Sequence, residues 1–339
     1  MQHKMTAGPL LNEDGNLAEP GYAFSLVKNY SRKDIKTSKW RIKEWDYYYF
    51  GNNEYGVALT IDDNGYMSLS SISFLDFKAK KQKTVSKMGA FPFGKVNLPP
   101  TSEKGDLKVK KKGYSLLFLN DGNVRHIIAT MKNFDNKQDF YCDLVITNHN
   151  DDSMVIATPF DKNKHFYYNQ KINNLEANGL IRIGEKEIKV NSWFGVLDWG
   201  RGVWTYSNTW YWSSLSTKQD DHYIGFNLGY GFGNNKAASE NVLFYDGKAY
   251  KFEDVEFKIP TDSKGKDDFM KPWIIESKNK DIYLTFTPIL DRYANSDILI
   301  ISSLQHQVFG MFNGFFILNG KKIEIRDVLS FAEKVKNKR

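Results

Sequence analysis

Apolar and polar residues alternate along much of the chain, in short stretches that end at turn residues. Alternation with a period of two is typical of β-strands that bury one face. Hairpins are predicted at five turns, Asp63-Asn64-Gly65, Asn120-Asp121-Gly122-Asn123, Gly184-Glu185, Asp246-Gly247 and Asn319-Gly320. Because these turns are spread over both halves of the chain, they favour antiparallel sheets over βαβ units.

Helical periodicity is sparse and is clearest at residues 327–338. We predict a short C-terminal helix there, since its apolar residues share one helical face: Val328, Leu329, Phe331 and Val335. A polar stretch at about 159–179 separates the two hairpin-rich halves. The pattern therefore predicts an all-β protein with two barrel-like domains, residues 1–165 and residues 166–339.

Composition narrows the class of protein. The 339 residues carry a formal charge of +7, mostly as lysine, which we interpret as a solvated surface, because no nucleic-acid-binding module is present. No apolar run is long enough for a membrane span or a signal-peptide core. The single cysteine, Cys142, fits a reducing compartment, so a cytoplasmic location is expected.

Residues 191–214 form the most distinctive segment. They hold five of the eight tryptophans, Trp193, Trp199, Trp204, Trp210 and Trp212, and also Asp198 and Arg201. In one interpretation, Asp198 and Arg201 form an ion pair that closes a barrel whose core the tryptophans fill. In the other, Asp198 is a buried acid in an aromatic pocket, where desolvation raises the pKa of a carboxyl group. Either interpretation predicts that both charged side chains are buried and hydrogen-bonded.

A glycine-rich segment follows at residues 225–233. Gly229, Gly231 and Gly233 alternate and no apolar helix follows them, so the segment does not match a dinucleotide-binding loop. Alternating glycines leave one face of a strand bare, which lets an aromatic ring approach closely. We predict a ligand cavity lined by the tryptophan segment together with Tyr230 or Phe232, shaped for a small apolar or aromatic molecule.

Further candidate ligand contacts lie outside these two segments. Glu240 and Asn241 precede a strand and either line a cavity mouth or cap a turn. Arg292 follows Asp291, and His306 stands between two glutamines. None of the six histidines shows paired metal-ligand spacing and no serine elbow or phosphate loop is present, so no metal site and no cofactor are predicted.

Several stretches together resemble the bacterial domain-of-unknown-function 2804 family over nearly the whole chain. They are Lys43-Glu44-Trp45-Asp46-Tyr47-Tyr48, Asp198-Trp199-Gly200-Arg201-Gly202-Val203-Trp204, Gly225-Phe226-Asn227-Leu228-Gly229, Ser239-Glu240-Asn241, His306-Gln307-Val308-Phe309-Gly310 and Phe331-Ala332-Glu333-Lys334-Val335. At the level of fold the chain is also similar to double lipocalin-like proteins such as carotenoid hydratases and tocopherol cyclases. This resemblance implies two lipocalin-like, calycin-type barrel halves and an apolar substrate, but fold alone does not fix function.

Three functions remain open from the sequence. The first is an enzyme without a cofactor that hydrates or cyclises an apolar small molecule, with Asp198 or Glu240 as the proton donor and tryptophan faces near the developing cation. The second is a carrier that binds a lipid or aromatic metabolite in a barrel. The third is a glycoside-active protein, since tryptophans stack on sugars and two carboxylates are available.

Overall fold

A computed structural model describes residues 2–298 and 301–338, and nearly all of the regular structure in them is β-strand. The helical elements described are two 3₁₀ turns, Arg32–Asp34 and Lys39–Arg41. The first strands in chain order are β1 (Gly8–Pro9), β2 (Gly21–Ala23), β3 (Lys28–Asn29), β4 (Ile42–Gly51), β5 (Tyr55–Asp63), β6 (Met67–Asp76), β7 (Lys81–Ala90), β8 (Leu107–Lys111), β9 (Tyr114–Asn120), β10 (Arg125–Asp135), β11 (Gln138–Asn148), β12 (Met154–Pro159), β13 (Phe166–Ile183) and β14 (Lys186–Val203). The remaining strands are β15 (Ser207–Gln219), β16 (His222–Tyr230), β17 (Val242–Tyr245), β18 (Lys248–Lys251), β19 (Val255–Lys258), β20 (Trp273–Ser277), β21 (Ile282–Ile298), β22 (Ile301–Leu318) and β23 (Lys321–Lys338).

These strands form two large antiparallel sheets. The first runs β7-β6-β5-β4-β14-β13-β11-β10-β9-β8, with β12 paired to β13 and β2 paired to β12. The second runs β18-β17-β16-β15-β23-β22-β21-β20-β19, and β1 and β3 form a small parallel pair. Each large sheet curls around its own apolar cluster, so the protein consists of two antiparallel half-barrels, as the sequence predicted.

The five predicted hairpins are all present. They join β5 to β6, β9 to β10, β13 to β14, β17 to β18 and β22 to β23. In the last of them, Asn319 and Gly320 have φ angles of 50° and 79°, which is the conformation that favours these residue types in a two-residue hairpin turn.

Among the residues that the structure describes, the core consists of three apolar clusters: one inside each half-barrel, and one between the two sheets. Strands that bury one face alternate, as β9 does between buried and partly exposed residues and the edge strand β19 does between buried and exposed ones. Central strands such as β4 and β14 are buried on both faces over most of their length, because one face meets a half-barrel interior and the other meets the second sheet.

The predicted C-terminal helix is wrong: residues 327–338 belong to strand β23. Leu329, Phe331 and Val335 are buried, but so are Ser330 and Ala332 between them, because the strand lies between two apolar clusters. A run buried on both faces loses the period of two and can imitate helical spacing.

The chain leaves the first sheet only after β14, and β15 begins the second sheet at Ser207. Residues 198–204, which we expected in the second half, therefore lie at the end of the first sheet and just beyond it. The reason is that β13 and β14 pair with each other and with strands β4 and β11 of that sheet. The division into domains at residues 165 and 166 stays a prediction, and the change of sheet falls about forty residues later.

Within the described ranges, no helix is long and apolar enough to cross a membrane.

Candidate functional site

Strands β13 and β14 form a wall between the interior of the first half-barrel and the space between the sheets. In their antiparallel register Lys171 is opposite Asp198, and Gln170 is opposite Trp199. Since neighbouring residues of a strand point to opposite faces, each pair lies on its own side of the wall. The Lys171–Asp198 side faces the second sheet and forms what we call the inter-sheet site, whose polar side chains are Lys171, Asp198, Glu240 and Glu333.

An ion pair lies at the centre of the inter-sheet site. Lys171 Nζ is 2.8 Å from Asp198 Oδ1, which also accepts a hydrogen bond of 2.6 Å from Asn169 Nδ2. The Lys171 ammonium is 3.9 Å from the centroid of the Trp212 ring. Both charged side chains are buried, and such a pair is retained only with good geometry and additional hydrogen bonds.

Glu240 enters the site from the segment between β16 and β17, and only 1% of it is exposed. Its Oε2 accepts a hydrogen bond of 3.3 Å from the Tyr167 hydroxyl, whereas Oε1 is buried without a hydrogen-bond partner among the described residues. A Cβ atom on Gly229 would lie 2.7 Å from Oε1, so the bare strand predicted from the glycines gives this carboxyl group its room. Burial raises the pKa of Glu240, the negative charge of Asp198 raises it further, and Lys171 opposes the rise.

Glu333 is the second buried acid of the site and comes from β23. Its Oε1 accepts 2.9 Å from Trp210 Nε1 and its Oε2 accepts 3.0 Å from Gln307 Nε2. Burial raises its pKa, although the hydrogen bond from Trp210 and the charges of Arg292 and Lys171 oppose this rise. The site therefore holds two carboxyl groups whose protonated forms are favoured by burial.

Aromatic rings surround these groups and contact one another. Tyr167 stacks on Phe232 with ring centroids 4.8 Å apart, and Trp210 lies 5.7 Å from Phe232. Trp204 lies 5.3 Å from Trp210 and 5.6 Å from Trp45. The expected cavity at the tryptophans is thus filled by the rings themselves, so a ligand must displace at least one of them.

The segment of residues 231–241 covers the inter-sheet site. Gly231 and Gly233, with φ angles of 96° and 81°, flank Phe232 in a conformation that other residues rarely adopt. Besides the bond from Tyr167 to Glu240, two hydrogen bonds tie the segment to the first sheet: Thr158 Oγ1 donates to Phe232 O over 2.5 Å, and Asn234 N donates to Pro159 O over 2.7 Å. Phe232 and Glu240 are therefore carried by a covering segment that contains no strand.

The expected ion pair between Asp198 and Arg201 is not formed. Residues three apart on a strand point to opposite faces, so Arg201 lies inside the first half-barrel and its Nη2 is 3.0 Å from Asp46 Oδ1. Arg201 also donates to three backbone oxygens, those of Trp45, Gly200 and Pro99. Both Asp198 and Arg201 are buried and hydrogen-bonded, as predicted, but with different partners.

Other predicted contacts are divided among three places. The inter-sheet site brings together Trp204, Trp210, Trp212 and Phe232 with Asp198 and Glu240. Trp199 faces Arg201 inside the first half-barrel, while Tyr230 stacks on Tyr211 and His306 stacks on Phe269 beside Asp291 at the second sheet. Arg292 donates to Ser73 Oγ beside the Tyr47 ring, and Asn241 bonds the backbone of Gly229 and Glu253. Roles in ligand binding for these residues stay predictions.

Sequence reasoning missed three polar residues of the site, Asn169, Lys171 and Glu333. A single lysine within a predicted strand gives little indication that its side chain is buried. The run Tyr167-Tyr168-Asn169-Gln170-Lys171 does depart from the alternation of apolar and polar residues. Glu333 was hidden by the predicted helix, which would have left it on a solvated face.

Open space lies elsewhere in the molecule. A cleft of about 270 Å³ opens at the first half-barrel, and no tryptophan lines it.

In the part of the chain that the structure describes, no three His, Cys, Asp or Glu side chains converge in an arrangement that would hold a metal ion.

Comparison with known proteins confirms the fold. A crystal structure described as AttH from Nitrosomonas europaea is similar with a TM-score of 0.56 and 10% identity, over 90% of this chain and 96% of that one. The crystal structure of CghA is similar with a TM-score of 0.52 and 8% identity, over 98% and 97% of the two chains. Kievitone hydratase from Nectria haematococca gives a TM-score of 0.47 at 10% identity, over 99% of this chain and 96% of that one.

The AttH and CghA structures have the double lipocalin-like fold, so the resemblance seen in the sequence holds for the fold. No curated protein matches the chain in sequence. The model of the family described as Domain of unknown function (DUF2804) matches residues 2–338, and the chain therefore belongs to that family.

Proposed function

We propose that this protein is an enzyme that hydrates or cyclises a small apolar molecule at the inter-sheet site. Its own carboxyl groups supply the acid–base chemistry, with Glu240 as the proton donor. The observation that carries this proposal is the environment of Glu240: a fully buried carboxyl group with a raised pKa and one unpartnered oxygen, set among aromatic rings. A protonated acid in apolar surroundings is what proton donation to an apolar substrate near neutral pH requires.

Asp198 and Glu240 take different roles because their partners differ. Asp198 accepts hydrogen bonds from Lys171 and Asn169 and so serves as a proton acceptor. Glu240 has no cation within ion-pair distance among the described residues, and its pKa is raised. A general acid and a general base need different surroundings, and here the buried Glu240 has a raised pKa while Asp198 is paired with Lys171.

The position of Lys171 selects the kind of substrate. Its ammonium already lies over the Trp212 face, so a substrate cation at that face would be repelled by a fixed positive charge. The same charge stabilises negative charge that develops on a substrate oxygen. We therefore favour a substrate whose double bond is conjugated to a carbonyl group over a simple polyene.

In a hydration step, water adds to one carbon of the double bond and its released proton goes to the Asp198 carboxylate. Electron density moves to the carbonyl oxygen beside Lys171. Glu240 then gives its proton to the other carbon, which restores the carbonyl. Transfer of the proton from Asp198 to Glu240 resets both groups. Cyclisation follows the same course when a hydroxyl group of the substrate replaces water. A positioned acid or base contributes about 10²- to 10⁴-fold in rate.

Substrate entry depends on the covering segment of residues 231–241. For Phe232 to move aside, its hydrogen bond from Thr158 Oγ1 and that between Asn234 N and Pro159 O must break, while residues 237–241 keep their own hydrogen bonds to Gln2, His3 and Lys251. Displacement of Phe232 would expose Tyr167, on which it stacks, and Glu240, which Tyr167 contacts. The bound molecule would then take the place of Phe232 and contact the aromatic rings that remain.

A carrier function needs no protonated carboxyl group, so the environment of Glu240 favours an enzyme. The two are separated by incubating the purified protein with a metabolite extract in H₂¹⁸O and in D₂O, followed by mass spectrometry. Hydration transfers ¹⁸O to a product and cyclisation transfers deuterium to carbon, whereas a carrier returns its ligand unlabelled.

The matched variants are Glu240→Gln and Glu253→Gln. Glu253 is exposed and lies just beyond β18, so its amide variant should label products as the wild type does. Glu240→Gln should lose the labelled products by about 10²-fold or more while still folding. Equal labelling by both variants would remove Glu240 as the donor, and the absence of label in the wild-type reaction would favour the carrier.

A further inference from the structure

The open cleft of about 270 Å³ lies on the other side of the β13–β14 wall from the inter-sheet site. Its lining comes from four strands that are consecutive in the first sheet: the ends of β11, β10 and β9 contribute Asn148, Arg125 and Asn120, and β13 contributes Gln170 from within the strand. The cleft is therefore the mouth of the first half-barrel. Its volume lies just below the range of about 300–1,000 Å³ that holds drug-sized ligands.

The floor of the cleft is a connected polar network. Gln170, of which 5% is exposed, accepts a hydrogen bond from Ser102 Oγ and donates 2.8 Å to Ser153 Oγ. Arg125 donates 2.6 Å to Ser102 O and 3.2 Å to the Tyr48 hydroxyl. A guanidinium has five N–H donors, and the described residues engage two of those of Arg125. Donors and acceptors therefore both face a bound molecule.

A smaller cavity extends the floor inward. It shares Ser102, Asn120 and Arg125 with the cleft and reaches Asp46. Asp46 is 8% exposed, and its Oδ1 has Arg201 as an ion-pair partner without satisfactory hydrogen-bond geometry. This cavity of about 10 Å³ has room for no more than a water molecule, so a ligand in the cleft does not reach Asp46 directly.

The charges of the lining argue against an anionic ligand. Arg125 is the basic residue of the cleft lining, and it is outnumbered there by Glu103, Asp151 and Asp152. Lys248 pairs with Asp151 at 3.0 Å, but both groups are largely exposed. An anion would therefore meet more negative than positive charge.

An apolar ligand is also disfavoured, since it would cover the N–H groups of Arg125 that have no partner among the described residues. Burying unpaired polar groups beneath a hydrocarbon costs about 1–3 kcal/mol for each group. The lining nevertheless has one apolar side, formed by Phe24, Leu26, Ile146 and Ile172. A molecule with hydroxyl groups at its rim and C–H groups on its faces matches both sides.

We propose that the mouth of the first half-barrel is a binding site for a small neutral polyhydroxylated molecule, a monosaccharide or a cyclic polyol. Hydroxyl groups of the ligand bond Gln170 and Arg125, and its C–H face packs against Phe24. This site is separate from the proposed acid–base centre and does not depend on it.

The test is calorimetric titration of the full chain with D-glucose, D-galactose and myo-inositol, each up to about 10 mM, which is ten times the Kd of a weak millimolar complex. Glucuronate and an apolar dye, anilinonaphthalene sulfonate, serve as contrasting probes. At least one neutral polyol should bind saturably. Glucuronate and the dye should compete with it only weakly for the cleft.

Two variants place the binding in the cleft. Asn123 lines the cleft and is exposed, so the larger side chain of Asn123→Trp would fill the cleft. Thr147→Trp adds the same ring at an exposed position of β11 that does not line the cleft. Asn123→Trp should weaken polyol binding by about tenfold or more, and Thr147→Trp should leave it within about twofold. The proposal is overturned if no neutral polyol binds, if both variants bind alike, or if glucuronate or the dye competes more strongly.

Discussion

The Lys171 ammonium and the Asp198 carboxylate lie 2.8 Å apart between the two sheets, on neighbouring strands of the first. Only 2% of the Lys171 side chain and 10% of the Asp198 side chain are exposed. Removing one partner of such a pair leaves an uncompensated buried charge, which costs about 3–5 kcal/mol. Lys171→Met and Asp198→Leu should each lower the free energy of unfolding by about this amount in urea titrations.

A double-mutant cycle separates this pair from its surroundings. Lys171→Met combined with Asp198→Leu should be more stable than Lys171→Met alone, since replacing both buried charges by apolar groups is often neutral or stabilising. The control is the exposed pair of Lys78 and Glu54, where Lys78→Met should cost less than about 1 kcal/mol. Additive effects of the Lys171 and Asp198 substitutions would show that the two groups do not interact.

Arg201 should be needed for folding of the first half-barrel. It is fully buried, donates to three backbone oxygens and lies 4.2 Å from the Trp199 ring centroid. Arg201→Ala leaves those acceptors and Asp46 unpaired, so the free energy of unfolding should fall by about 3–5 kcal/mol. Arg201→Lys should not restore it, because an ammonium cannot reproduce the planar guanidinium contacts.

Arg182 provides the comparison for Arg201. Its side chain is exposed and lies 5.3 Å from the Tyr141 ring, a cation–π contact worth about 0.5–1 kcal/mol at the surface. Arg182→Ala should therefore change thermal unfolding only slightly. A melting temperature of Arg201→Ala equal to that of Arg182→Ala would show that the buried contacts of Arg201 contribute nothing.

Local patterns predicted the hairpins and the sheets well, because a turn such as Asn319-Gly320 carries its conformational requirement in its own residues. Such local patterns do not predict which side chains from distant strands pair with each other. Asp198 and Arg201 are close in sequence, but their partners, Lys171 and Asp46, come from strands β13 and β4. Which residues meet there depends on strand register, which no short stretch of sequence specifies.

The wrong prediction of a C-terminal helix has a related cause, because burial of a strand on both faces also depends on distant parts of the chain. Residues 329–333 of β23 are buried on both faces because two half-barrels enclose the strand. A strand loses its alternation in such a place, and Glu333 then looks like a solvated helix residue although it is 4% exposed. Asp198 was a candidate because of its aromatic surroundings in the sequence and Glu240 because of its place before a strand, but nothing in the sequence singled out the third acid.

Stability should depend on pH through Glu240. Its pKa is raised above the ordinary value of 4.5 by burial, so the folded state binds a proton more tightly than the unfolded state. The stabilisation is complete below pH 4.5 and is lost as the pH rises through the folded-state pKa. The stability of the wild type relative to Glu240→Gln should therefore fall with rising pH above about 4.5, by at most about 1.4 kcal/mol per pH unit.

This dependence is measured as the difference between the two proteins in urea titrations at several pH values. Glu333 and Asp46, whose pKa values burial also raises, remain in both proteins and so cancel in the difference. Glu253→Gln, with its exposed side chain, should follow the wild type at every pH. A difference between wild type and Glu240→Gln that is constant across this pH range would mean that Glu240 is not the titrating acid.

Lys251 should give the opposite dependence. Its Nζ donates 2.5 Å to Ser239 O and 2.9 Å to Asn241 O, next to the covering segment, and no carboxylate lies within ion-pair distance among the described residues. Burial lowers the pKa of Lys251 from 10.5 to about 7. Between these values the unfolded state binds more protons than the folded state, so stability contributed by Lys251 rises with pH.

Relative to Lys251→Met, the wild type should gain stability from about pH 7 to pH 10, at up to about 1.4 kcal/mol per unit. Lys248 lies on the same strand but is exposed, and its Asp151 partner raises its pKa, so Lys248→Met should show no such slope in this range. A flat difference between wild type and Lys251→Met would show that the Lys251 amine keeps its ordinary pKa in the folded protein.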